Sequence, residues 1–177
     1  MIDIVAFNQL KAFARQDGAF MFLLWLVSFA CYIFAPESPF GSLLAIATPF
    51  FLGWRLVSFR NEALDGVISF RRALAYCLYC FLYASLIFAV AQYIYFRFID
   101  HGVFLSNLNN AMQIVEPVYR QNGIDTTPLQ SGIQAFTGLK PLEVALLFMM
   151  QNLIIGAVVS PLVALACRRK SRNSDPQ

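Results

Sequence analysis

The run Ala73–Ile99 (ALAYCLYCFLYASLIFAVAQYIYFRFI) constrains this chain more than any other stretch. Its one charge, Arg97, sits near the far end; Arg71 and Arg72 precede the run, and Asp100-His101-Gly102 ends it. At a rise of about 1.5 Å per residue, roughly 20 apolar residues cross the hydrocarbon core of a bilayer, so this run is more than long enough. A soluble helix confines its apolar residues to one stripe, whereas this one is apolar around its whole circumference. It is a membrane span, and the other apolar segments are its partners.

Composition excludes the main alternatives. The chain is 59% hydrophobic and 13% charged, where soluble domains carry about 25% charged residues. Its 177 residues fit one domain. A net charge of +3 is too small to point to nucleic acid; how that charge is distributed matters more.

The pattern gives an all-α integral membrane fold. It has four transmembrane helices, an amphipathic N-terminal helix, and a two-helix extracytoplasmic cap between the third and fourth spans. Residues 1–17 carry Ile2, Val5, Ala6, Leu10 and Phe13 at helical spacing and read as a short interfacial helix ending at Asp17. The first span is 18–35, stopped by Pro36. A very short link makes it an antiparallel hairpin with the second span, 39–59, where Ser38 and Pro39 read as N-cap and first helical residue. Pro49 predicts a kink in that span, and Arg55 falls in its last turn, where the stem reaches toward the headgroups.

Residues 60–72 form a surface-hugging connection with a turn at Asp65-Gly66. It reads either as a binding loop or, preferably, as a link that positions the third span, 73–99. The segment 100–140 is too apolar for a loose loop. One amphipathic helix ends near Asn122-Gly123, and Thr127-Pro128 starts a second that Gly138 ends. The fourth span, 141–167, has Pro141 in its first turn and Pro161 as a further kink; 168–177 is a basic tail.

Lysine and arginine set the orientation. Most of the chain's 13 fall in the N-terminal segment, the second connection and the tail, against Arg97, Arg120 and Lys140 on the other side. Both termini are then cytoplasmic and the cap lies outside.

Polar residues inside the spans have two readings. Tyr83 and Gln92 lie on the third span; Gln151 and the four-spaced Asn152, Gly156 and Ser160 lie on the fourth. Small and amide residues let helices approach and hydrogen-bond across one another, for about 0.6 to 2 kcal/mol each; the alternative is a substrate or ion path. Packing is the preferred account, because no Asp, Glu, Lys or His falls in the central part of any span as bounded above. The pair Cys77 and Cys80 reads as two small apolar residues, since no histidine or further cysteine stands near it in sequence. Asp100-His101 reads as a polar turn rather than a catalytic pair. No motif for a metal, phosphate or cofactor is present.

Three stretches carry a family resemblance: Ala14-Arg15-Gln16-Asp17-Gly18-Ala19, Asp65-Gly66-Val67-Ile68-Ser69-Phe70, and Tyr93-Ile94-Tyr95-Phe96-Arg97-Phe98-Ile99-Asp100. Together they make the chain, from about residue 10 to 170, resemble the domain-of-unknown-function 4199 family of small four-span proteins, mostly from Bacteroidota. The resemblance implies a multi-pass protein of the bacterial inner membrane, and it supplies no activity or catalytic residue. It further implies an accessory role beside a polyprenyl-phosphate glycosyltransferase, which no residue here carries.

The expectation is a non-enzymatic membrane subunit that anchors or stabilises a protein partner or assembles with itself. Arg60, Arg71, Arg72, Arg168, Arg169, Lys170 and Arg172 would contact anionic lipid or that partner, each for about 1 kcal/mol near a charged surface. The alternative is a small transporter or lipid-handling oligomer, and an intramembrane enzyme ranks below both. They separate on whether the polar residues converge on a cavity or are used up in helix contacts.

Overall fold

The computed structural model describes residues 4–169. The expected contacts of Lys170 and Arg172 lie outside them. Among the described residues there are six helices and no strand: α1 (Ile4–Phe34), α2 (Phe40–Ala63), α3 (Phe70–Phe98), α4 (Val103–Gln121), α5 (Thr127–Thr137) and α6 (Pro141–Cys167). Four of them, α1, α2, α3 and α6, are long and apolar enough to cross a bilayer. At 29 residues, α3 extends roughly 43 Å.

α3 is the centre of the bundle, packed along α1 on one side and α6 on the other, while α2 pairs mainly with α1. Glycine sets both close approaches. A Cβ on Gly18 of α1 would lie 2.9 Å from Tyr83 Cβ and 3.0 Å from the Cys80 carbonyl oxygen of α3. On Gly156 of α6 it would lie 2.6 Å from the Phe81 ring. Small residues at crossings let backbones come near enough for dispersion to hold helices that have no hydrophobic drive toward one another in lipid.

The sequence reading placed a boundary between an interfacial helix and the first span at Asp17-Gly18. The structure has no boundary there: α1 runs unbroken from Ile4 to Phe34. The reason is a buried stripe, Leu10, Ala14, Asp17, Met21 and Trp25, whose three- and four-residue steps continue through the expected break. α2 runs four residues past the expected end, and Pro39 rather than Ser38 occupies its N-cap. α3 starts three residues early because Ser69 caps it, its side chain accepting from the Arg72 N–H at 3.4 Å.

The 64–69 connection turns at Asp65 (φ 50°) and Gly66 (φ 79°). Ile68, 1% exposed, exchanges backbone hydrogen bonds with Arg169 at 3.0 and 3.2 Å. Arg60 donates to the Cys167 carbonyl at 3.0 Å, and Arg72 to the Ala6 carbonyl at 3.4 Å. The connection therefore ties the end of α6 and the beginning of α1 together.

Two helices, α4 and α5, lie between α3 and α6, with ends at Gly123 and Gly138 as the turn residues indicate. Asp100 starts α4 by accepting from the Phe104 N–H at 2.8 Å and the Tyr95 hydroxyl at 2.9 Å. Asn107 donates to the Tyr32 and Ile33 carbonyls at 3.3 and 3.2 Å, covering open acceptors at the end of α1. Four rings, Phe96, Phe104, Phe136 and Phe148, close the junction of α3, α4, α5 and α6, with centroids 5.3 to 6.2 Å apart.

Candidate intramembrane cavity

Helices α2 and α6 meet only toward their C-terminal ends, where the Cys167 sulfur lies 3.9 Å from the Gly53 carbonyl oxygen. Toward the α4 side they part, and a cavity of about 530 Å³ fills the gap. α1 contributes Trp25, Ser28 and Phe29, α2 contributes Ala45, Thr48 and Pro49, and α3 contributes Phe81, Phe88 and Gln92. Phe104, Asn107 and Leu108 of α4 close one end; Phe148, Gln151, Asn152 and Ile155 of α6 form the far wall. Ala45, Gln151 and Ile155, on the two facing rims, are exposed, so the gap is open between α2 and α6, and it reaches Tyr32 and Pro36 at the α1–α2 turn.

The hydroxyls of the near wall are already used. Trp25 Nε1 donates to Thr48 Oγ1 at 3.1 Å, and Ser28 Oγ donates to the Gly41 carbonyl at 2.7 Å. These bonds tie α1 to α2 and leave the wall rigid and largely apolar. The amides of the far wall differ. Gln151 is exposed and Asn152 half-buried, and among the described residues neither has a side-chain hydrogen bond; Gln92 of α3 is 1% exposed, so its unpartnered Oε1 lies behind the wall and not on its surface. Among the described residues, no Asp, Glu, Lys, Arg or His lines the cavity.

Of the polar residues singled out in the spans, the structure therefore brings Gln92, Gln151 and Asn152 together. Tyr83, Gly156 and Ser160 stand apart from them. Tyr83 stacks on Tyr79 with centroids 6.1 Å apart and covers Gly18; Gly156 lies under Phe81; Ser160 is fully buried and its Oγ is unpartnered. Tyr83 and Gly156 therefore sit at the two close helix crossings. Among the arginines, Arg60 and Arg72 are spent on backbone carbonyls, whereas Arg71, Arg168 and Arg169 are exposed.

A second polar cluster, which the sequence did not reveal, lies toward the end of the bundle where α3 begins. Asp17 is buried between α1, α2 and α3, 2% exposed. Arg55 Nε donates to its Oδ1 at 2.6 Å, and the Tyr76 hydroxyl donates to its Oδ2. Arg55 also lies over the Phe20 and Trp54 rings, 5.6 and 5.5 Å from their centroids, and Tyr76 stacks on Phe59 at 4.8 Å. Ending the interfacial helix at Asp17 hid this cluster. A signal was present, since Asp17 and Arg55 lie at nearly equal distances from the turn at 35–39, and an antiparallel hairpin sets such positions opposite each other.

An all-helical bundle with four such helices defines a multi-pass membrane protein. Residues 16–169 match the family described as protein of unknown function (DUF4199), and the chain belongs to that family. Neither the curated proteins nor the solved structures give a match.

Proposed function

We propose that this protein is a lipid-handling membrane protein that takes the chain of a membrane lipid into the cavity between α2 and α6. The carrying observation is a laterally open, mostly apolar space of about 530 Å³ held between spanning helices. That is within the ~300 to 1,000 Å³ of ordinary ligand sites. A methylene displaces about as much as a water molecule, roughly 30 Å³, so the cavity accepts on the order of fifteen such groups, one lipid chain. In this reading both termini are cytoplasmic and α4 and α5 cover the outer end of the cavity in the inner membrane; the lysine and arginine distribution supports that orientation.

The test is purification from native membranes in mild detergent with mass spectrometry of what accompanies the protein. A stoichiometric lipid is expected, and Ala45→Trp at the mouth should displace it. Protein that carries no lipid above the detergent background would refute the reading.

A non-enzymatic accessory or anchoring role, beside a partner such as a polyprenyl-phosphate glycosyltransferase or a second copy, is the second reading. What favours it is the apolar surface left on the cap: Ile114 is 75% exposed and Val118 57%. Exposed Arg71 and Arg168 suit anionic headgroups or that partner. A stoichiometric protein in the same purification supports it.

A further inference from the structure

The cavity is open toward one end of the bundle and shut toward the other. Its lining stops at Pro49 on α2 and at Val159 on α6. One turn further along, Gly53 and Val163 bring the same two helices together. A Cβ on Gly53 would lie 3.8 Å from Val163 Cγ1 and 3.7 Å from Cys167 Sγ, ordinary packing distances. Helix contact therefore closes the gap beyond Pro49 and Val159. In the opposite direction the lining runs on to Tyr32 and Pro36 at the α1–α2 turn and to Asn107 of α4. Exposed Glu37 and His101 stand at that end, and charged or polar groups of this kind keep to the surface of a bilayer.

The depth of the space matches this one-sidedness. On α6 the lining runs from Phe148 to Val159, eleven residue steps. At about 1.5 Å per step that is roughly 16 Å, about half of the ~30 Å hydrocarbon core.

A membrane lipid keeps its polar end at the surface of its own leaflet and points its chain toward the midplane. A lipid of the leaflet on the α4 side can enter between α2 and α6 without changing that posture: its polar end stays near the α1–α2 turn, and its chain runs toward Pro49 and Val159. A lipid of the other leaflet has its polar end beyond the contact of Gly53 with Val163. To fill the same space it would have to carry that end through hydrocarbon, which is costly for any polar group.

We infer that the cavity is loaded from one leaflet only, the one on the α4 side, with the occupant's chain end lodged near Pro49 and Val159. This rests on the lipid-handling reading and adds a direction to it. With both termini cytoplasmic, the lipids of the outer leaflet are the substrate pool.

One-sided labelling tests the inference. The full chain, reconstituted at low density in phosphatidylcholine vesicles, is sorted by a C-terminal tag into tail-out and cap-out populations. Cyclodextrin delivers a phosphatidylcholine with a diazirine in its chain to the external leaflet of each, and adducts formed on prompt irradiation are mapped by mass spectrometry. Trp25 and Phe88 line the cavity and are only 8% and 7% exposed, so adducts on them report a chain inside it. Leu146 and Leu165, exposed toward the two ends of α6, show that the probe has reached the protein from either side. Adducts on Trp25 and Phe88 are expected in cap-out vesicles and should be lost in tail-out ones. Ala45→Trp at the mouth should remove them while Leu146 is still labelled. Equal labelling of Trp25 and Phe88 in the two populations, or labelling from the tail side alone, overturns the one-sided loading and leaves the lipid-handling reading standing. If Leu146 and Leu165 are labelled and Trp25 and Phe88 stay bare in both populations, the two readings fall together.

Discussion

An Arg55→Met substitution removes the cation facing Asp17 and keeps most of the side chain's aliphatic bulk. Asp17 is 2% exposed, so water cannot replace the guanidinium; the Tyr76 hydroxyl is the one remaining donor to the carboxylate. Removing one partner of a buried pair costs about 3 to 5 kcal/mol, because the other is left uncompensated. The reverse change, Asp17→Leu, should cost less. The Arg55 side chain is 20% exposed and can extend along α2 toward the headgroups. Replacing both charges, Asp17→Leu with Arg55→Met, in a Tyr76→Phe background that leaves no stranded hydroxyl, removes the desolvation cost along with the attraction and should restore stability to within about 1 kcal/mol of that background. Equilibrium unfolding in mixed micelles with increasing SDS gives the four corners of this cycle in that background. A coupling of about 2 kcal/mol or more between the two sites is expected. Additive losses, or an Arg55→Met variant within about 0.5 kcal/mol of the parent, would show that the pair is not the buried clamp described here.

Other substitutions test separate joints. Gly156→Ala puts a Cβ 2.6 Å from the Phe81 ring and should cost about 1 to 3 kcal/mol by overpacking, with partial recovery when Phe81 is shortened to leucine; an unaltered unfolding midpoint would argue against a tight α3–α6 crossing. Asn107→Ala removes the donor to the Tyr32 and Ile33 carbonyls, so hydrogen exchange should quicken in α4 while α1 and α3 keep their protection. Unchanged exchange would mean the aromatic junction alone holds the cap. The Thr127 hydroxyl, and then its N–H, hold the Asp125 carboxyl below the usual carboxylate range. Those bonds are present above the unfolded value of about 3.9 and are lost as pH falls through the lowered folded value. Amide exchange at the start of α5 should therefore rise in strong acid, and Asp125→Ala should show that rapid exchange at neutral pH.

The spans were legible because each is apolar over a bilayer's width, and the turn residues fixed most ends. Pro141, Gly138, Gly123 and the Thr127-Pro128 pair mark ends that the structure reproduces. The one large error came from reading charge as a boundary. Lys11, Arg15 and Gln16 beside an apolar stripe made 1–17 read as interfacial, yet Leu10, Ala14 and Asp17 are all buried on the stripe that continues to Trp25. A local pattern cannot show that a carboxylate will find an arginine from a helix nearly forty positions later. The same limit applies to Gln92 and Asn152. Their polarity was evident, but helix contact and cavity lining use the same residue types.

By itself the sequence determined that this is a four-span helical membrane protein with two short helices before the last span. Length and hydropathy are properties of each segment alone, and a bilayer imposes one solution on them. Only the tertiary structure decided which polar residues are consumed and which are left open. Asp17 is satisfied because α1 and α2 fold back as a hairpin that brings Arg55 to it, with Tyr76 arriving on α3. Gln151 and Asn152 are left open, because α2 and α6 touch near Gly53 and Cys167 and part above, opening a space that no side chain of the described residues fills. Satisfaction of a buried polar group depends on the relative placement of whole helices, which no single segment encodes.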